Sequence, residues 1–527
     1  MTKSNVTRGI IKRGEYYDSV SLMKFAGRLK GLPGVIDSAA VMGSEENQKI
    51  LEAAGLLMDD FAEAADSDLL IAFACEKAEQ ADKALQAIDA LLNSLKETDE
   101  TNHDILPRTI GDATRVLPGS NLAVISIAGK YAGDEAMNAL QAGLHVMLFS
   151  DNVPLIKEIE LKKYAAHNGL LLMGPDCGTA IINGVPLGFA NAVRRGKIGI
   201  VAASGTGLQE VSCIIANEGE GVSQAIGTGS RDISGDVGGI MFIEAILALA
   251  DDPDTEVLLL VSKPPHPDVL DNITLALKNI SKPIVAIFLG ADIAKLGKYN
   301  FEAAESLEEG ALKAIALARG KSPVYITEQL KDRENQIIES AKAETKKIAS
   351  GQKYLRGLFS GGTFGYEAQI LLTESILDIY SNAPWGKNHE LKNSLKSEKH
   401  TLIDMGADEF TVGRLHPMID FSLRNKRIIE EATDPETAVI LLDLVLGYGV
   451  VEDALAAITP AIKEAKQIAK ANKRYLPIIC SVTGTDHDPQ SRSEVISGLK
   501  ELGVIVRESN AAACMLAGYI VKEVGRR

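Results

Sequence analysis

Small residues and hydroxyls gather behind an apolar run near the middle of the chain. Residues 197–203 are β-rich, the turn Ser204, Gly205, Thr206 and Gly207 follows, and a helical pattern begins at Leu208. A strand that feeds a glycine turn and then a helix aims free backbone N–H groups and the positive end of the helix dipole at one point. The stretch therefore predicts an anion site, although glycine in many α/β loops serves turn geometry alone.

A second glycine turn, Gly447, Tyr448 and Gly449, follows the apolar strand predicted over residues 439–446. We interpret this turn as another helix start. If the two halves of the chain pack as pseudo-symmetric partners, both helix N-termini can bind one phosphate with N–H donors. The alternative is a pair of unrelated α/β loops.

Other loops carry groups that suit a small acid or amide. An arginine fork can bind a carboxylate in bidentate fashion, and a histidine can move a proton at neutral pH. The predicted substrate ligands are Asp176, Arg231, Asp232, Thr483, Gly484, Thr485 and Arg492. The predicted catalytic groups are Arg414, His416 and His487. Loop arginines are more often surface ion pairs, and loop histidines are more often structural or solvated, so these roles compete with plainer ones.

Metal and disulfide chemistry are not indicated. Asp486, His487 and Asp488 are contiguous, so their side chains point in different directions, and we predict no metal site there. The five cysteines are scattered without CxxC spacing, which argues against disulfides or structural zinc. Cys213, Cys480 and Cys514 lie in apolar patterns and are predicted to be core residues.

The composition restricts the partners. The 71 acidic and 55 basic residues leave a formal charge of −16, which would repel nucleic acid and anionic membranes. No run of about twenty uncharged apolar residues occurs, and the first residues lack the apolar core of a signal peptide. We therefore expect a cytoplasmic protein that binds small molecules, without nucleic acid or membrane partners.

The elements that must position these loops form an α/β protein of several domains, because strands and helices alternate along most of the chain. Residues 1–100 are predicted to be a small α/β, ferredoxin-like domain, and residues 96–117 read as a linker. Residues 118–195 are predicted to be Rossmann-like but lack GxGxxG. Residues 196–325 and 352–527 repeat one outline and are predicted to be two flavodoxin-like domains.

Together, the motifs GPDCGT, GKIGIVAASGTG, GTGSRD, SKPP, FSGGTFGYEA, TVGRLHPMID and SVTGTDHDP make the chain closely resemble the FdrA family. That family is related to the NDP-forming acyl-CoA synthetases of the succinyl-CoA synthetase type. The resemblance implies a CoA-binding-type Rossmann domain and two succinyl-CoA-synthetase-type domains. In that superfamily two helices hold a phosphoryl group between their N-termini, and carried over these are Ser204–Gly207 and Gly447–Gly449.

The chain departs from the synthetases in ways that change the expected reaction. Where the resemblance implies a phosphohistidine loop, residues 290–297 contain no histidine, and the ATP-grasp region is absent. The resemblance implies instead one subunit of a carbamoyltransferase that interconverts oxalurate plus phosphate with oxamate plus carbamoyl phosphate, without cofactor and in a hetero-oligomer. An acyl-CoA synthetase and a non-catalytic scaffold subunit are the alternatives.

Overall fold

The computed structural model describes residues 6–15, 17, 19–44, 47–48, 51–52, 54–97, 107–297, 299–373, 375–411 and 415–527. They form two compact units. Unit 1 takes in the described part of Met1–Ser120 together with Asp408–Leu415, and unit 2 takes in Asn121–Ala407 and His416–Arg527.

Unit 1 is a small α/β fold built on a three-stranded antiparallel sheet of order β1-β3-β2. Its elements are β1 (Val6–Lys12), α1 (Ser19–Lys30), β2 (Val35–Met42), β3 (Leu69–Cys75), α2 (Ala78–Glu97) and α3 (Ile110–Val116). The central strand β3 is apolar and buried along its whole length, which fixes its place between the other two. The predicted linker, residues 96–117, contains α3, which Thr109 caps by accepting a hydrogen bond from the backbone N–H of Asp112. Residues 98–106 of that segment lie outside the described residues.

The first part of unit 2 is a parallel βαβαβ unit, as the alternating pattern predicts. Its sheet has the order β4-β5-β6. The elements are β4 (Leu122–Ile125), α4 (Gly129–Gln141), β5 (His145–Leu148), α5 (Leu155–His167) and β6 (Leu172–Met173).

The next part of unit 2, called module A here, has a seven-stranded sheet of order β13-β12-β11-β9-β10-β7-β8. The strands are β7 (Thr179–Ile182), β8 (Val185–Gly188), β9 (Arg195–Ala202), β10 (Val222–Gly227), β11 (Val257–Ser262), β12 (Ile284–Phe288) and β13 (Glu302–Ala304). The helices are α6 (Gly205–Asn217), α7 (Ile240–Asp251), α8 (Pro267–Leu277), α9 (Leu307–Ala318) and the charged α10 (Val324–Thr345) that follows the module.

The last part, module B, has a second seven-stranded sheet of order β16-β15-β17-β14-β18-β19-β20. The strands are β14 (Tyr354–Phe359), β15 (Ile379–Ser381), β16 (His389–Glu390), β17 (His400–Asp404), β18 (Thr437–Val445), β19 (Ile478–Thr483) and β20 (Ile505–Arg507). The helices are α11 (Gly362–Thr373), α12 (Ser422–Thr433), α13 (Ala454–Ala471), α14 (Arg492–Glu501) and α15 (Asn510–Gly525).

The two modules share one topology. Five parallel strands of module A run in the order β10-β9-β11-β12-β13, and five of module B run β17-β14-β18-β19-β20. Both are the flavodoxin-like order 2-1-3-4-5, so the predicted tandem repeat is confirmed. In sheets of this order ligands bind outside the carboxyl ends of the first and third strands. The residues after β9, β11, β14 and β18 are therefore candidates for a ligand site.

One buried apolar cluster runs through both modules and includes Leu208 of α6 and Phe364 of α11. All five cysteines are buried and free, which confirms the core positions predicted for Cys213, Cys480 and Cys514. Among the described residues, none of the helices has the length and apolar character needed to cross a bilayer.

Candidate functional site

The turn after β9 begins helix α6, as the sequence predicts. Ser204 has extended backbone and caps the helix, because its Oγ accepts a hydrogen bond from the N–H of Gly207 at 3.1 Å. A Cβ on Gly207 would lie 3.1 Å from Val261 Cγ1, so the helix can approach β11 only without a side chain there. A Cβ on Gly205 would meet nothing closer than Thr179 Oγ1 at 3.8 Å, so open space lies beside this first helical residue.

The N-terminus of α11 faces that of α6. Ser204 Oγ and Thr363 Oγ1 share a hydrogen bond of 2.6 Å, and a Cβ on Gly361 would lie 2.8 Å from Thr206 Cγ2. Helix α6 begins directly after β9 and helix α11 directly after β14. Each of these strands is the first of the five parallel strands in its module. Two positive helix ends, the hydroxyls of Ser204 and Thr363 and the side chain of Thr206 therefore converge on one region. The signal for α11 was present in the sequence, since FSGGTFGYE repeats ASGTGLQE.

The prediction that Gly447–Gly449 begins a helix is wrong. Helix α13 starts only at Ala454, with Asp453 as its cap. Gly447 and Gly449 have positive φ angles of 121° and 77°, a conformation in which the chain turns instead of entering a helix. The N–H of Tyr448 donates to the carbonyl of Ala190 at 3.0 Å, so this loop binds the backbone beside β8. The helix that faces α6 is α11.

The two helix ends are electrostatically unequal. A Cβ on Gly362 would lie 2.7 Å from Asp404 Oδ2, so a carboxylate of the chain already stands beside the first residue of α11. Within the part of the chain that the structure describes, the nearest side-chain atom to a Cβ on Gly205, apart from its chain neighbours, is Thr179 Oγ1 at 3.8 Å. An external anion is therefore expected nearer to α6.

His416 is half-buried close to the loop that leads into α11. A Cβ on Gly406 would lie 2.9 Å from His416 Nε2 and 3.0 Å from the carbonyl oxygen of Ser360, so these two atoms are near neighbours. Burial, with a smaller contribution from the charge of Arg424, lowers the pKa of His416 to about 4. Its Nδ1 accepts from the N–H of Met418 at 3.3 Å, which assigns the ring proton to Nε2. His416 is thus a neutral hydrogen-bond donor at pH 7.

Of the other two predicted catalytic groups, only His487 lies within the described residues. His487 is exposed, and its backbone N–H donates to Thr485 Oγ1 at 3.2 Å. Arg414 lies outside the described residues. Both assignments remain predictions.

Arg231 and Asp232 belong to a charged network at the helix α7. Asp232 is fully buried, pairs with Lys162 Nζ at 2.8 Å and accepts from the N–H of Phe242 at 2.6 Å, so it caps α7. Arg231 Nε lies 2.8 Å from Glu158 Oε2. Asp176 occupies a turn with a φ of 57° and is exposed. Their substrate-binding roles stay predictions, and Arg231 would have to leave Glu158 to fill one.

The loop after β19 joins module B to module A. Thr485 Oγ1 donates to the carbonyl of Ala192 at 2.7 Å, and the carbonyl of Gly484 accepts from Asn217 Nδ2 at 3.0 Å. Thr483 Oγ1 donates to Glu210. Arg492 Nε donates to the carbonyl of Val482 at 3.0 Å. These four predicted substrate ligands are thus engaged in packing contacts, and their proposed ligand roles remain predictions.

Lys263 was missed by the reading of the sequence. It follows β11, the third of the five parallel strands of module A. Val261 of β11 pairs with Ala202 of β9, so Lys263 lies at the strand end next to Ser204. Its Nζ stands 4.6 Å above the ring centroid of Tyr366, which lies in the first turn of α11. Lys263 is exposed and adds a positive charge to the same edge as the two helix ends.

Two buried glutamates hold the modules together in a reciprocal way. Glu210 of α6 accepts from the N–H of Asn510 at 3.0 Å, at the start of α15 in module B. Glu367 occupies the matching position of α11 and accepts from the N–H of Leu307 at 2.8 Å, at the start of α9 in module A. Each module thus caps a helix of the other, which fixes α6 against α11.

Family models match three parts of the chain. The CoA binding domain matches residues 193–290, and the CoA-ligase domain matches residues 358–520. The N-terminal model is described as AllF, heavy metal-associated domain, and matches residues 4–106.

The donor set of unit 1 does not fit the heavy metal in that description. Soft metals are held by clustered thiolate and imidazole ligands, and residues 1–120 contain one cysteine, Cys75, and one histidine, His103. Cys75 is fully buried at the end of β3, and burial raises the pKa of its thiol. Within the described part of the chain no three His, Cys, Asp or Glu side chains are grouped to hold a metal ion.

We therefore expect the full-length protein to bind no stoichiometric Zn²⁺ or Cu⁺ after dialysis against either ion. The measurement is elemental analysis of the purified protein, with Cys75→Ser as the matched variant. One bound equivalent that disappears in Cys75→Ser would contradict the expectation.

One relative matches almost the whole chain, and others match parts of it. The YahF protein of Escherichia coli K12 is 43% identical over 96% of this chain and 97% of its own length. The α subunit of the ADP-forming succinate–CoA ligase of Aquifex aeolicus is 29% identical over 40% of this chain and 70% of its own. The apo dinucleotide-forming acetyl-coenzyme A synthetase 1 of Ca. Korarchaeum cryptofilum has 15% identity and a TM-score of 0.31, covering 80% of this chain and 88% of that one. The chain belongs to the FdrA family of succinyl-CoA-synthetase-like proteins.

Proposed function

We propose that the facing N-termini of α6 and α11 bind phosphate and the phosphoryl group of carbamoyl phosphate. The protein would act as a subunit of a carbamoyltransferase that interconverts oxalurate plus phosphate with oxamate plus carbamoyl phosphate. The observation that carries the proposal is the convergence of two helix ends at Ser204 and Thr363, whose hydroxyl oxygens are 2.6 Å apart.

The region suits a dianion held mainly by the backbone. The first N–H groups of α6 have no partner within the helix, and the space beside Gly205 lets an oxygen approach them. Thr206 adds a hydroxyl, and Lys263 adds a charge at the neighbouring strand end. In a chain with a net charge of −16, such local donors are needed to attract an anion.

The reaction requires positioning and charge stabilisation. A phosphate oxygen attacks the carbamoyl carbon of oxalurate, the new C–O bond forms, and the C–N bond to the oxamate nitrogen breaks. The proton from hydrogen phosphate passes to that nitrogen, so atoms and charge balance. N–H donors at helix ends can stabilise the oxyanion of the tetrahedral intermediate. His416, neutral with its proton on Nε2, would act as a further donor instead of as an acid.

A nucleotide-driven ligase reaction has less support. The relatives named as CoA ligases include an ADP-forming α subunit. The stretch that resembles their phosphohistidine loop contains no histidine, and none occurs between His266 and His389. This chain therefore lacks the side chain through which such a reaction would carry phosphate.

The assay uses the full-length protein with its partner subunits, oxalurate and phosphate, and measures carbamoyl phosphate. We expect turnover, and we expect Thr206→Val to lower it at least about tenfold, since one donor of an anion site is typically worth this much. Thr274→Val, which removes an exposed hydroxyl on α8, is the control. Absence of turnover in the complete complex would remove the transferase proposal. Full activity of Thr206→Val would favour a scaffold subunit.

A further inference from the structure

A buried charged group lies directly behind the loop that leads into α11. Ser360 precedes Gly361, and both its N–H, at 2.7 Å, and its hydroxyl donate to the carboxylate of Asp443 on β18. Arg424 of α12 donates to the backbone carbonyl of Asp443 at 2.7 Å. Ser360 is 1% exposed, and Asp443 and Arg424 are 0% exposed, so the whole group is removed from solvent.

The turn before α6 in module A is equivalent to the turn before α11, but it has apolar residues in place of the charged group. When the turn before α6 is aligned by sequence with the turn before α11, Ala203 of module A corresponds to Ser360. The strand registers make Val261 the equivalent of Asp443. In module A the N–H of Ala203 donates to the carbonyl of Val261 at 3.0 Å, which is an ordinary parallel-sheet bond. The flavodoxin-like fold therefore forms this strand-to-helix turn with two apolar residues.

Module B replaces that single sheet bond with a side-chain arrangement. The N–H of Ser360 goes to the Asp443 carboxylate, and the carbonyl of Asp443 goes to Arg424. Burying such a pair is unfavourable unless its hydrogen bonds are complete, and among the described residues Nε and Nη2 of Arg424 have no hydrogen-bond partner. An arrangement that the fold does not need, and that is incompletely satisfied, points to a role in the site.

We propose that Arg424, Asp443 and Ser360 are positioning residues that set the loop from Ser360 to Thr363 to receive the anion. This inference rests on the proposed function, since it concerns the same anion. The carboxylate holds Ser360 by two atoms, and this fixes the start of the loop in which Gly361 lies against Thr206 of α6. Arg424 also contributes to keeping the neighbouring His416 neutral, because its charge opposes protonation of the imidazole.

The test measures phosphate affinity by isothermal titration calorimetry on the full-length protein, so it does not depend on turnover. Two variants copy module A. Ser360→Ala alone removes the hydroxyl, and the triple variant Ser360→Ala, Asp443→Val and Arg424→Met removes the group without leaving an unpaired charge. We expect the phosphate Kd to rise at least about tenfold in the triple variant and less in Ser360→Ala, while the thermal unfolding midpoint stays close to that of the wild type.

Ser223→Ala is the matched control, because it removes a buried hydroxyl bond to Thr255 at the far end of the sheet of module A. Its phosphate affinity is expected to be unchanged. Wild-type affinity in a folded triple variant and in Ser360→Ala would overturn the positioning role alone. Should the triple variant not fold, Ser360→Ala decides the question. A wild-type protein that binds no phosphate would overturn the proposed function and this inference together, so the two failures are distinguishable.

Discussion

Gly205→Val is expected to leave the protein folded and to weaken phosphate binding at least about 100-fold, a loss of about 2.7 kcal/mol. Outside its own chain neighbours and helix backbone, the added Cβ would meet no atom of the described residues closer than 3.8 Å, so the fold has room for a β-carbon at this position. Gly205 is not among the residues with positive φ, so valine brings no backbone strain. The same side chain fills the space through which an anion would reach the first N–H groups of α6.

Gly205→Ala should have an intermediate effect, since its single methyl group fills less of that space. The measurements are calorimetric titration with phosphate and circular dichroism melting of each variant. Gly111→Val is the matched control. Gly111 lies in the first turn of α3, which Thr109 caps as Ser204 caps α6, and a Cβ on Gly111 would meet no atom closer than 3.9 Å. Unchanged phosphate affinity in a folded Gly205→Val protein would contradict an anion site at α6.

Glu367→Gln is expected to change the pH dependence of stability. Burial raises the pKa of Glu367 from 4.5 to about 7. Between these values the folded protein keeps a proton that the unfolded chain has lost, so the carboxyl group's contribution to stability is full below pH 4.5 and is lost as the pH rises to about 7. The shift corresponds to about 3 kcal/mol. Glutamine resembles the protonated acid and does not titrate.

The unfolding free energy of Glu367→Gln should therefore rise by about 3 kcal/mol relative to the wild type between pH 4.5 and pH 7.5. Groups distant from Glu367, such as His416, titrate equally in both proteins, so the difference reports Glu367 together with the neighbouring carboxyls of Glu210 and Glu308 that interact with it. Urea unfolding across this pH range measures it. Glu339→Gln, in an exposed pair with Lys342, is the control and should give a constant difference. A constant difference for Glu367→Gln as well would contradict the role assigned to its burial.

The buried strands and the repeated module could be predicted from the sequence because their signals are local. Buried parallel strands read as continuous apolar runs, as β11 and β18 do, and the repeated glycine turn marks the repeated module. The helix start at Ser204 could be predicted for the same reason, since a cap and its helix lie within a few residues.

The element that faces the turn at Ser204 could not be identified from the local sequence pattern alone. Gly447 and Gly361 both follow apolar strands, and their conformations and contacts differ. Gly447 has a φ of 121°, and the N–H of the next residue, Tyr448, donates to the carbonyl of Ala190, whereas Gly361 approaches Thr206. Lys263 and the group around Asp443 depend on contacts between residues far apart in the chain. Such contacts leave no periodic trace in the sequence.

The occupancy of the space between α6 and α11 tests the central claim most directly. Crystals of the full-length protein soaked in arsenate, a phosphate analogue whose anomalous scattering distinguishes it from water, would locate the anion. We predict an anomalous peak beside Gly205, within hydrogen-bond distance of the first N–H groups of α6 and facing Thr363. A peak that appears elsewhere, for example at Gly447, with none beside Gly205, would contradict the account.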